Sequence, residues 1–181
     1  DDIAFDYPVP HFVIKGNPGV GKTTVARLIG QIFYEAGILR NGHCFECSRK
    51  DFIGDHVGET ALKTNARIRE AQESVLFIDE AYSIIEGNAE YGKAAIAELI
   101  KEMEDNRDRF TVILAGYKKD IKRLLDQNEG FKSRIKEYLE FLGDEEMSYG
   151  EFLCDVEHLL ELNPETSLSK SCKKYLKNVE E

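Results

Sequence analysis

Long apolar runs and an excess of positive charge are both missing from this sequence. No stretch approaches the ~20 apolar residues that a membrane-spanning helix needs, and no basic segment followed by an apolar one opens the chain as a secretory signal would. The formal net charge of −10 argues against broad, nonspecific binding to nucleic acid or to an anionic membrane. With 42% hydrophobic and 32% charged residues, the 181-residue chain has the composition of a soluble globular protein. We therefore expect neither a nucleic-acid partner nor a membrane partner.

Cysteine is also scarce, with four residues at positions 44, 47, 154 and 172. The pattern His43-Cys44-x-x-Cys47 invites a zinc or redox interpretation, but neither a second CxxC nor an HxxxH pair completes four ligands. Cys44 and Cys47 also fall in a predicted strand, where residues three apart face opposite ways. Free thiols are therefore favoured over a metal site, and reduced thiols favour a cytoplasmic location.

The most informative stretch is Gly16–Thr23, which reads GNPGVGKT and fits the phosphate-loop pattern G-x-x-x-x-G-K-[ST]. An apolar run at 11–14 predicts a strand before it, and apolar residues at helical spacing predict a helix at 24–36 after it. Glycines allow successive main-chain N–H groups to approach a phosphate, and the following helix adds its partial positive charge. Lys22 would reach the β- and γ-phosphates, and the Thr23 hydroxyl would ligate Mg²⁺. The alternative is an ordinary glycine-rich turn. The predicted nucleotide contacts are Asn17, Pro18, Gly19, Val20, Gly21, Lys22, Thr23 and Thr24.

Two acids, Asp79 and Glu80, directly follow the apolar run Val75–Ile78, which has the form of a strand buried on both faces of a parallel sheet. An acid at the end of such a strand can hold Mg²⁺, and a second acid can orient and deprotonate an attacking water. The alternative is a pair of acids that cap the following turn. The sequence between Lys22 and Asp79 is long enough for a complete additional strand and helix. The strand that carries Asp79 is therefore not expected to be the next one after the phosphate-loop strand, as in hydrolysing ATPases of the additional-strand type.

The rest of the chain alternates between strand and helix patterns, which predicts an α/β doubly wound sheet of five parallel strands between helices. Residues 1–143 form the predicted ATPase core, and the acidic stretch 144–181 is predicted to be a small helical lid, cut short at Glu181. The first eight residues read as the middle of a longer chain, so we expect an upstream part. The remaining predicted strands are 43–48, 110–115 and 137–142; the remaining predicted helices are 60–73, 91–105 and a short one near 121–125, with a loop at 52–58.

Five segments closely resemble, in the same order, the CbxX/CfqX branch of the AAA+ ATPases, which includes rubisco-activase-like and sporulation-protein-like members. The likeness covers roughly residues 11–141. The segments are GNPGVGKTTVARLIG, CSRKDFIGDHVGETALKT, VLFIDEAYSI, GKAAIAELIKEMEDNRDRFTVILAGY and NEGFKSRI.

The resemblance implies a role for each matching residue. Residues 16–24 would be Walker A, Asp79 the Walker B metal-site acid and Glu80 the catalytic base. Arg134 would be an arginine finger that enters the neighbouring subunit's site, and Tyr117 would take the place of a polar water-sensing residue. The alternatives are a solvated arginine at a helix end and a tyrosine with an exposed hydroxyl at a strand end.

The resemblance also has departures. His56-Val57-Gly58 aligns with a pore loop that grips a threaded polypeptide, but histidine replaces the usual tyrosine or tryptophan, and a plain surface loop is the alternative. The segment that normally precedes the phosphate-loop strand and lines the adenine pocket is short or missing, and the second sensor arginine has no clear match before Glu181.

The predicted function is an ATP- and Mg²⁺-dependent motor that remodels a protein client, which the sequence does not name. By family likeness, the motor is expected to be a ring homo-oligomer, a hexamer. The competing prediction is a nucleotide-dependent switch or scaffold with little turnover. A GTPase is disfavoured because no N/T-K-x-D guanine motif follows, and a small-molecule kinase because Asp79-Glu80 suits water as the acceptor.

Overall fold

A five-stranded sheet forms the centre of the chain in a computed structural model, which describes residues 9–35 and 37–141. All four neighbouring strand pairs are parallel, and the order across the sheet is β2-β3-β4-β1-β5. β4 therefore lies between the strand before the phosphate loop and the strand before the acid pair, which is the additional-strand arrangement that the sequence predicts. The strands are β1 His11–Lys15, β2 Cys44–Cys47, β3 Val75–Ile78, β4 Thr111–Gly116 and β5 Ile135–Glu140.

Helices follow the strands and cover both faces of the sheet. They are α1 Lys22–Glu35, α2 Arg49–Phe52, α3 Val57–Glu70, α4 Ala89–Asp105, α5 Lys118–Asp126 and α6 Glu129–Arg134, with a 3₁₀ segment at Ala81–Ile85. No helix within the described part of the chain is long and apolar enough to cross a bilayer.

The core has two layers because the strands are apolar on both faces. On one face, α1 packs Ile29 and Phe33 against Phe77 and Ile113 of the sheet. On the other face, Leu99 of α4 belongs to the cluster that holds the alternating strand residues, such as Leu76 and Leu114. Every residue of β3 and β4 is buried, as is expected of central strands in a parallel sheet.

Cys44 and Cys47 take part in different layers of this core, which confirms that they face opposite sides of β2. Cys44 packs against the α1 layer and Cys47 belongs to the α4 layer. Burial raises the pKa of Cys44 to about 12 and that of Cys47 to about 11. Both are free thiols, and they are protonated at neutral pH.

The predicted boundaries are wrong in a few places. The loop predicted at 52–58 is shorter, because α2 ends at Phe52 and α3 begins at Val57. The helix predicted to continue to residue 73 ends at Glu70, and Glu73 turns the chain with a left-handed φ of 63°. β5 begins at Ile135, two residues before its predicted start. The predicted lid at 144–181, with Cys154 and Cys172, lies outside the described residues.

Candidate functional site

The phosphate loop connects β1 to α1, and its glycines are needed for two different reasons. Gly19 and Gly21 have φ values of 79° and 96°, the left-handed region that side chains disfavour, although a Cβ at either would meet nothing within 4 Å. Gly16 is restricted by space instead, since a Cβ there would lie 2.9 Å from Val20 Cγ2 and 3.0 Å from Phe141 Cβ. The loop is therefore held both by backbone conformation and by close packing at its start.

The other predicted loop contacts differ in how they face solvent. Asn17, Pro18 and Gly19 are exposed, and Thr23 is half-buried at the start of α1. Val20 is buried in the core, so only its main-chain N–H could meet a phosphate. The Val20 side chain packs in the core and so holds the phosphate loop against the sheet.

Lys22 lies across the mouth of the loop at the first residue of α1. Its Nζ donates to the carbonyl oxygens of Gly16 at 3.0 Å and Asn17 at 2.6 Å. Burial lowers the pKa of Lys22, and the charges of Asp79 and Glu80 act in the opposite direction. The Lys22 ammonium therefore interacts electrostatically with both carboxylates, although they lie in the loop after β3 and not in the phosphate loop.

Asp79 and Glu80 follow β3 at the same edge of the sheet. The main-chain N–H of Asp79 donates to Cys47 O at 3.0 Å, which continues the β2–β3 pairing. Glu80 then turns sharply with φ 47° and ψ 47°, and its N–H donates to Asp79 Oδ1 at 2.9 Å. A left-handed conformation at a non-glycine residue costs on the order of 1–3 kcal/mol and is common at functional sites.

Gly116, the last residue of β4, lies between the acid pair and the phosphate loop. The N–H of Gly16 donates to Gly116 O at 3.1 Å, and a Cβ on Gly116 would lie 4.0 Å from Glu80 Cα. Gly116, at the end of β4, thus hydrogen-bonds to the phosphate loop and lies next to the backbone of Glu80. Gly116 is not among the predicted site residues, although a glycine at the end of an apolar strand can mark a close approach of two backbones.

Tyr117 comes next after Gly116 and lies at the same edge. It precedes α5 with an extended backbone, its carbonyl accepts from Ile121 N at 2.9 Å, and its side chain is 45% exposed. Its predicted water-sensing role stays a prediction.

The structure does not bring Arg134 together with the other predicted site residues. Arg134 ends α6 and directly precedes β5, whose first residue pairs with His11 at the start of β1. The length of β1, roughly 3.3 Å per residue, therefore separates it from the phosphate loop. Its Nη2 lies 3.0 Å from Glu104 Oε2, its Nη1 donates to Gly130 O at 3.1 Å, and its buried Nε has no hydrogen-bond partner.

The segment Asp55–Gly58 is exposed and precedes or begins α3. Asp55 is held at both sides, since its N–H donates to Glu59 Oε2 at 2.6 Å and its carbonyl accepts from Tyr91 OH at 2.9 Å. His56 caps α3 through its backbone without a side-chain hydrogen bond to the helix. The predicted pore-loop role of His56 stays a prediction.

The described residues contain no cluster of three His, Cys, Asp or Glu side chains that could hold a metal on their own. A magnesium ion in a nucleotide site does not need one, because phosphate oxygens and waters fill most of its octahedron. One hydroxyl and one carboxylate, of the kind that Thr23 and Asp79 carry at this edge, are a sufficient protein contribution.

Comparison with known proteins decides the family. The family described as "ATPase family associated with various cellular activities (AAA)" matches residues 12–141. The chain belongs to the AAA family of ATPases. Membership implies nucleotide binding and ATPase activity in general. The FIGL-1 AAA domain in complex with ADP has the same fold, with a TM-score of 0.51 at 19% identity over 83% of this chain and 48% of that chain.

Relatives in sequence place this AAA domain near the branch that the motifs predict. It is 46% identical to stage V sporulation protein K of Bacillus subtilis over 72% of this chain and 41% of that protein. It is 44% identical to protein CfxQ of Xanthobacter flavus over 74% of this chain and 43% of that protein, which confirms the resemblance to the CbxX/CfqX branch. ESX-3 secretion system protein EccA3 of Mycobacterium tuberculosis strain H37Rv is 45% identical over 72% of this chain and 21% of that protein. The chain spans less than half the length of these relatives.

Proposed function

We propose that this AAA domain hydrolyses ATP with Mg²⁺ and couples hydrolysis to the remodelling of a protein client within a ring. The observation that carries the proposal is the convergence of Lys22, Asp79 and Glu80 at one edge of the sheet. Burial lowers the pKa of Lys22, and the charges of the two carboxylates oppose this shift. Gly116 hydrogen-bonds to Gly16 of the phosphate loop and lies next to the backbone of Glu80.

Each group then has a defined task. Main-chain N–H groups of the phosphate loop and the Lys22 ammonium neutralise the phosphate oxygens. Magnesium, when bound, would be held by Thr23 and Asp79 and would supply further positive charge to the phosphates. Glu80 accepts a proton from water while the water oxygen forms a bond to the γ-phosphorus and the bond to the bridging oxygen of ADP breaks. Tyr117 would orient this water from the end of β4.

The position of Arg134 supports a ring. It lies at the edge of the sheet opposite Lys22, so it cannot complete its own subunit's site, but it can complete the site of a neighbour. A finger of this type contributes about 10³–10⁵ in rate. We infer a homo-oligomeric ring, a hexamer by family likeness, with each nucleotide between two subunits.

The exposed segment Asp55–Gly58 supports contact with a protein client. Its backbone is tied to α3 through Glu59 and to α4 through Tyr91, so it can follow movements of both helices. We propose that His56 and Val57 contact the client. ATP and reduced thiols at Cys44 and Cys47 both suit a cytoplasmic location.

The substitution Glu80→Gln tests hydrolysis, with Glu86→Gln as a matched control on an exposed residue after the same 3₁₀ segment. We expect the ATPase rate to fall at least ~100-fold in the first variant and to stay unchanged in the second, with ATP affinity kept in both. A negligible wild-type rate that Glu80→Gln does not change would contradict the motor and support the switch or scaffold.

Calorimetric titration tests the nucleotide. We expect ATP to bind more tightly than GTP, and the reverse order would exclude ATP as the working nucleotide. ATP titrations with and without MgCl₂ test whether the metal contributes to binding. A hydrolysis rate that is the same with MgCl₂ and with a chelator would contradict the role of the metal in hydrolysis.

A further inference from the structure

Arg49, the first residue of α2, makes an unusual contact with the segment that follows the acid pair. Its Nη1 donates to the carbonyl oxygens of Ser83 at 2.7 Å and Ile84 at 2.8 Å. Both carbonyls belong to the second half of the 3₁₀ segment Ala81–Ile85. Ser83 O also accepts from Glu86 N at 3.1 Å, so Arg49 adds a second donor at that oxygen. A guanidinium from a different strand connection therefore closes the end of this segment.

Glu80, the proposed base, directly precedes this segment, and a single hydrogen bond connects it to a residue that Arg49 contacts. The N–H of Ser83 donates to Glu80 O at 2.8 Å, and the carbonyl of the same Ser83 accepts from Arg49. Glu80 is exposed and left-handed, a conformation that persists only where its surroundings hold it. Ser83 therefore connects the Arg49 guanidinium to the strained turn at Glu80, through its carbonyl on one side and its N–H on the other.

The backbone that carries Arg49 is fixed to the same sheet edge as Asp79. β2 ends at Cys47, whose carbonyl accepts from Asp79 N at 3.0 Å. Ser48 then starts α2 through a capping box in which its N–H donates to Asp51 Oδ2 at 2.9 Å. Arg49 is therefore held in register with the acid pair.

The remaining sides of the 3₁₀ segment are closed by other elements. The guanidinium of Arg123 from α5 lies over the Tyr82 ring at 4.6 Å. A Cβ on Gly92 of α4 would lie 2.7 Å from Ile84 O, so that helix packs directly on the segment. Arg49 supplies the hydrogen bonds that these neighbours do not, from the side of β2 and α2.

We propose that Arg49 is a positioning residue that fixes the carboxylate of Glu80 for attack by water, through its hydrogen bonds to Ser83 and Ile84. The proposal rests on the proposed hydrolytic function. It assigns no contact between Arg49 and the nucleotide. It therefore predicts an effect on turnover that is separate from nucleotide affinity.

The test compares Arg49→Gln with Lys50→Gln, which removes the same charge from the next, exposed residue of the same helix. Because displacement of a catalytic group by about 1 Å can cost ~10²-fold in rate, we expect kcat for ATP to fall 10- to 100-fold in Arg49→Gln. The KM for ATP should stay within about twofold, and Lys50→Gln should match the wild type. Arg49→Lys should recover part of kcat, because an ammonium can reach one of the two carbonyls.

Two further measurements separate positioning from a general loss of structure. In the Glu80→Gln background, Arg49→Gln should cause no further loss of kcat, since it acts through Glu80. Amide exchange of Ser83 and Glu86 should accelerate in Arg49→Gln and not in Lys50→Gln, while exchange in β3 stays slow.

The proposal is overturned if folded Arg49→Gln keeps kcat within twofold of the wild type, or if the loss is the same without Glu80. It is also overturned if kcat falls in step with ATP affinity. An unchanged rate in Glu80→Gln alone would instead remove the proposed function. A silent Arg49→Gln beside an inactive Glu80→Gln would remove only this inference.

Discussion

The main-chain N–H of Glu80 donates to Oδ1 of Asp79 at 2.9 Å, while Glu80 itself has a left-handed φ of 47°. The residue proposed as the base is thus in a conformation that glycine would adopt more easily. Substitutions at position 80 can therefore change the stability of the fold and the ATPase activity independently.

Glu80→Gly is expected to stabilise the protein by about 1 kcal/mol, because relief of the left-handed strain exceeds the entropy that glycine loses on folding. The same variant should hydrolyse ATP no faster than Glu80→Gln, which keeps the strain and serves as the control. Denaturant unfolding gives the free energies. A Glu80→Gly protein less stable than Glu80→Gln would show that the turn is not strained.

Mixed assemblies test whether Arg134 works between subunits. Arg134→Ala and Glu80→Gln should each be nearly inactive alone, the first by about 10³-fold or more. When the two proteins are mixed, some sites combine an intact Glu80 from one subunit with an intact Arg134 from its neighbour. ATPase activity should therefore rise above that of either variant.

The control for this experiment is a mixture of Glu80→Gln with the double variant Glu80→Gln/Arg134→Ala, which contains no complete site. Equal activities in the two mixtures would contradict the arrangement between subunits. Because Arg134 also contacts Glu104, thermal unfolding of Arg134→Ala must be measured first, and Arg134→Lys provides a variant that keeps this ion pair.

His11 is expected to make stability depend on pH. Its Nδ1 accepts from Val112 N at 3.0 Å, and burial lowers its pKa from 6.5 to about 4 although a hydrogen bond to the Met103 backbone opposes the shift. A base with a lowered folded pKa destabilises the fold as it gains a proton, so stability is complete above pH 6.5 and falls between pH 6.5 and 4. The shift corresponds to about 3 kcal/mol.

His11→Asn keeps an acceptor near Val112 N but does not titrate in this range. The difference in unfolding free energy between wild type and variant, measured by urea at several pH values, cancels most of the other titrating groups. It should shrink by about 2–3 kcal/mol between pH 6.5 and 4. A constant difference would show that His11 is not buried in its neutral form.

Cys44 and Cys47 are expected to react slowly with thiol reagents. A pKa of about 12 against 9.0 for the free side chain leaves about a thousandfold less thiolate at Cys44. In a Cys154→Ser/Cys172→Ser background, modification at pH 8 should be at least a hundredfold slower in the folded protein than in urea. Rapid modification of the folded protein would contradict the shielding of the half-buried Cys44 and the buried Cys47.

Most of the sheet could be predicted because its strands are short apolar runs, such as Val75–Ile78, whose burial on both faces needs no particular partner. The acid pair and phosphate loop could be predicted as neighbours once both follow strands of one parallel sheet. The elements α2, the 3₁₀ segment and α6 were missed. Each is too short to show helical periodicity, and each depends on contacts that are distant in sequence.

Two examples show this dependence. The end of the 3₁₀ segment is closed by Arg49, which precedes it by an entire helix. α6 lies so close to α4 that a Cβ on Gly130 would be 2.6 Å from Ile100 Cδ1. Neither the pairing of Arg134 with Glu104 nor the left-handed turn at Glu80 has a sequence signal, since both arise only after the layers have packed.

The close packing of α6 on α4, at Gly130 and Ile100, has a mechanical consequence. α4 starts beside the 3₁₀ segment, and Glu104 near its end pairs with Arg134. Its 17 residues span about 25 Å without a proline. With α6 packed on it, this continuous helix connects the 3₁₀ segment after the acid pair with the residue that pairs with Arg134. In the proposed ring, a displacement at one ATP would reach Arg134 at the proposed site of the adjacent ATP, so hydrolysis in neighbouring subunits would be coupled.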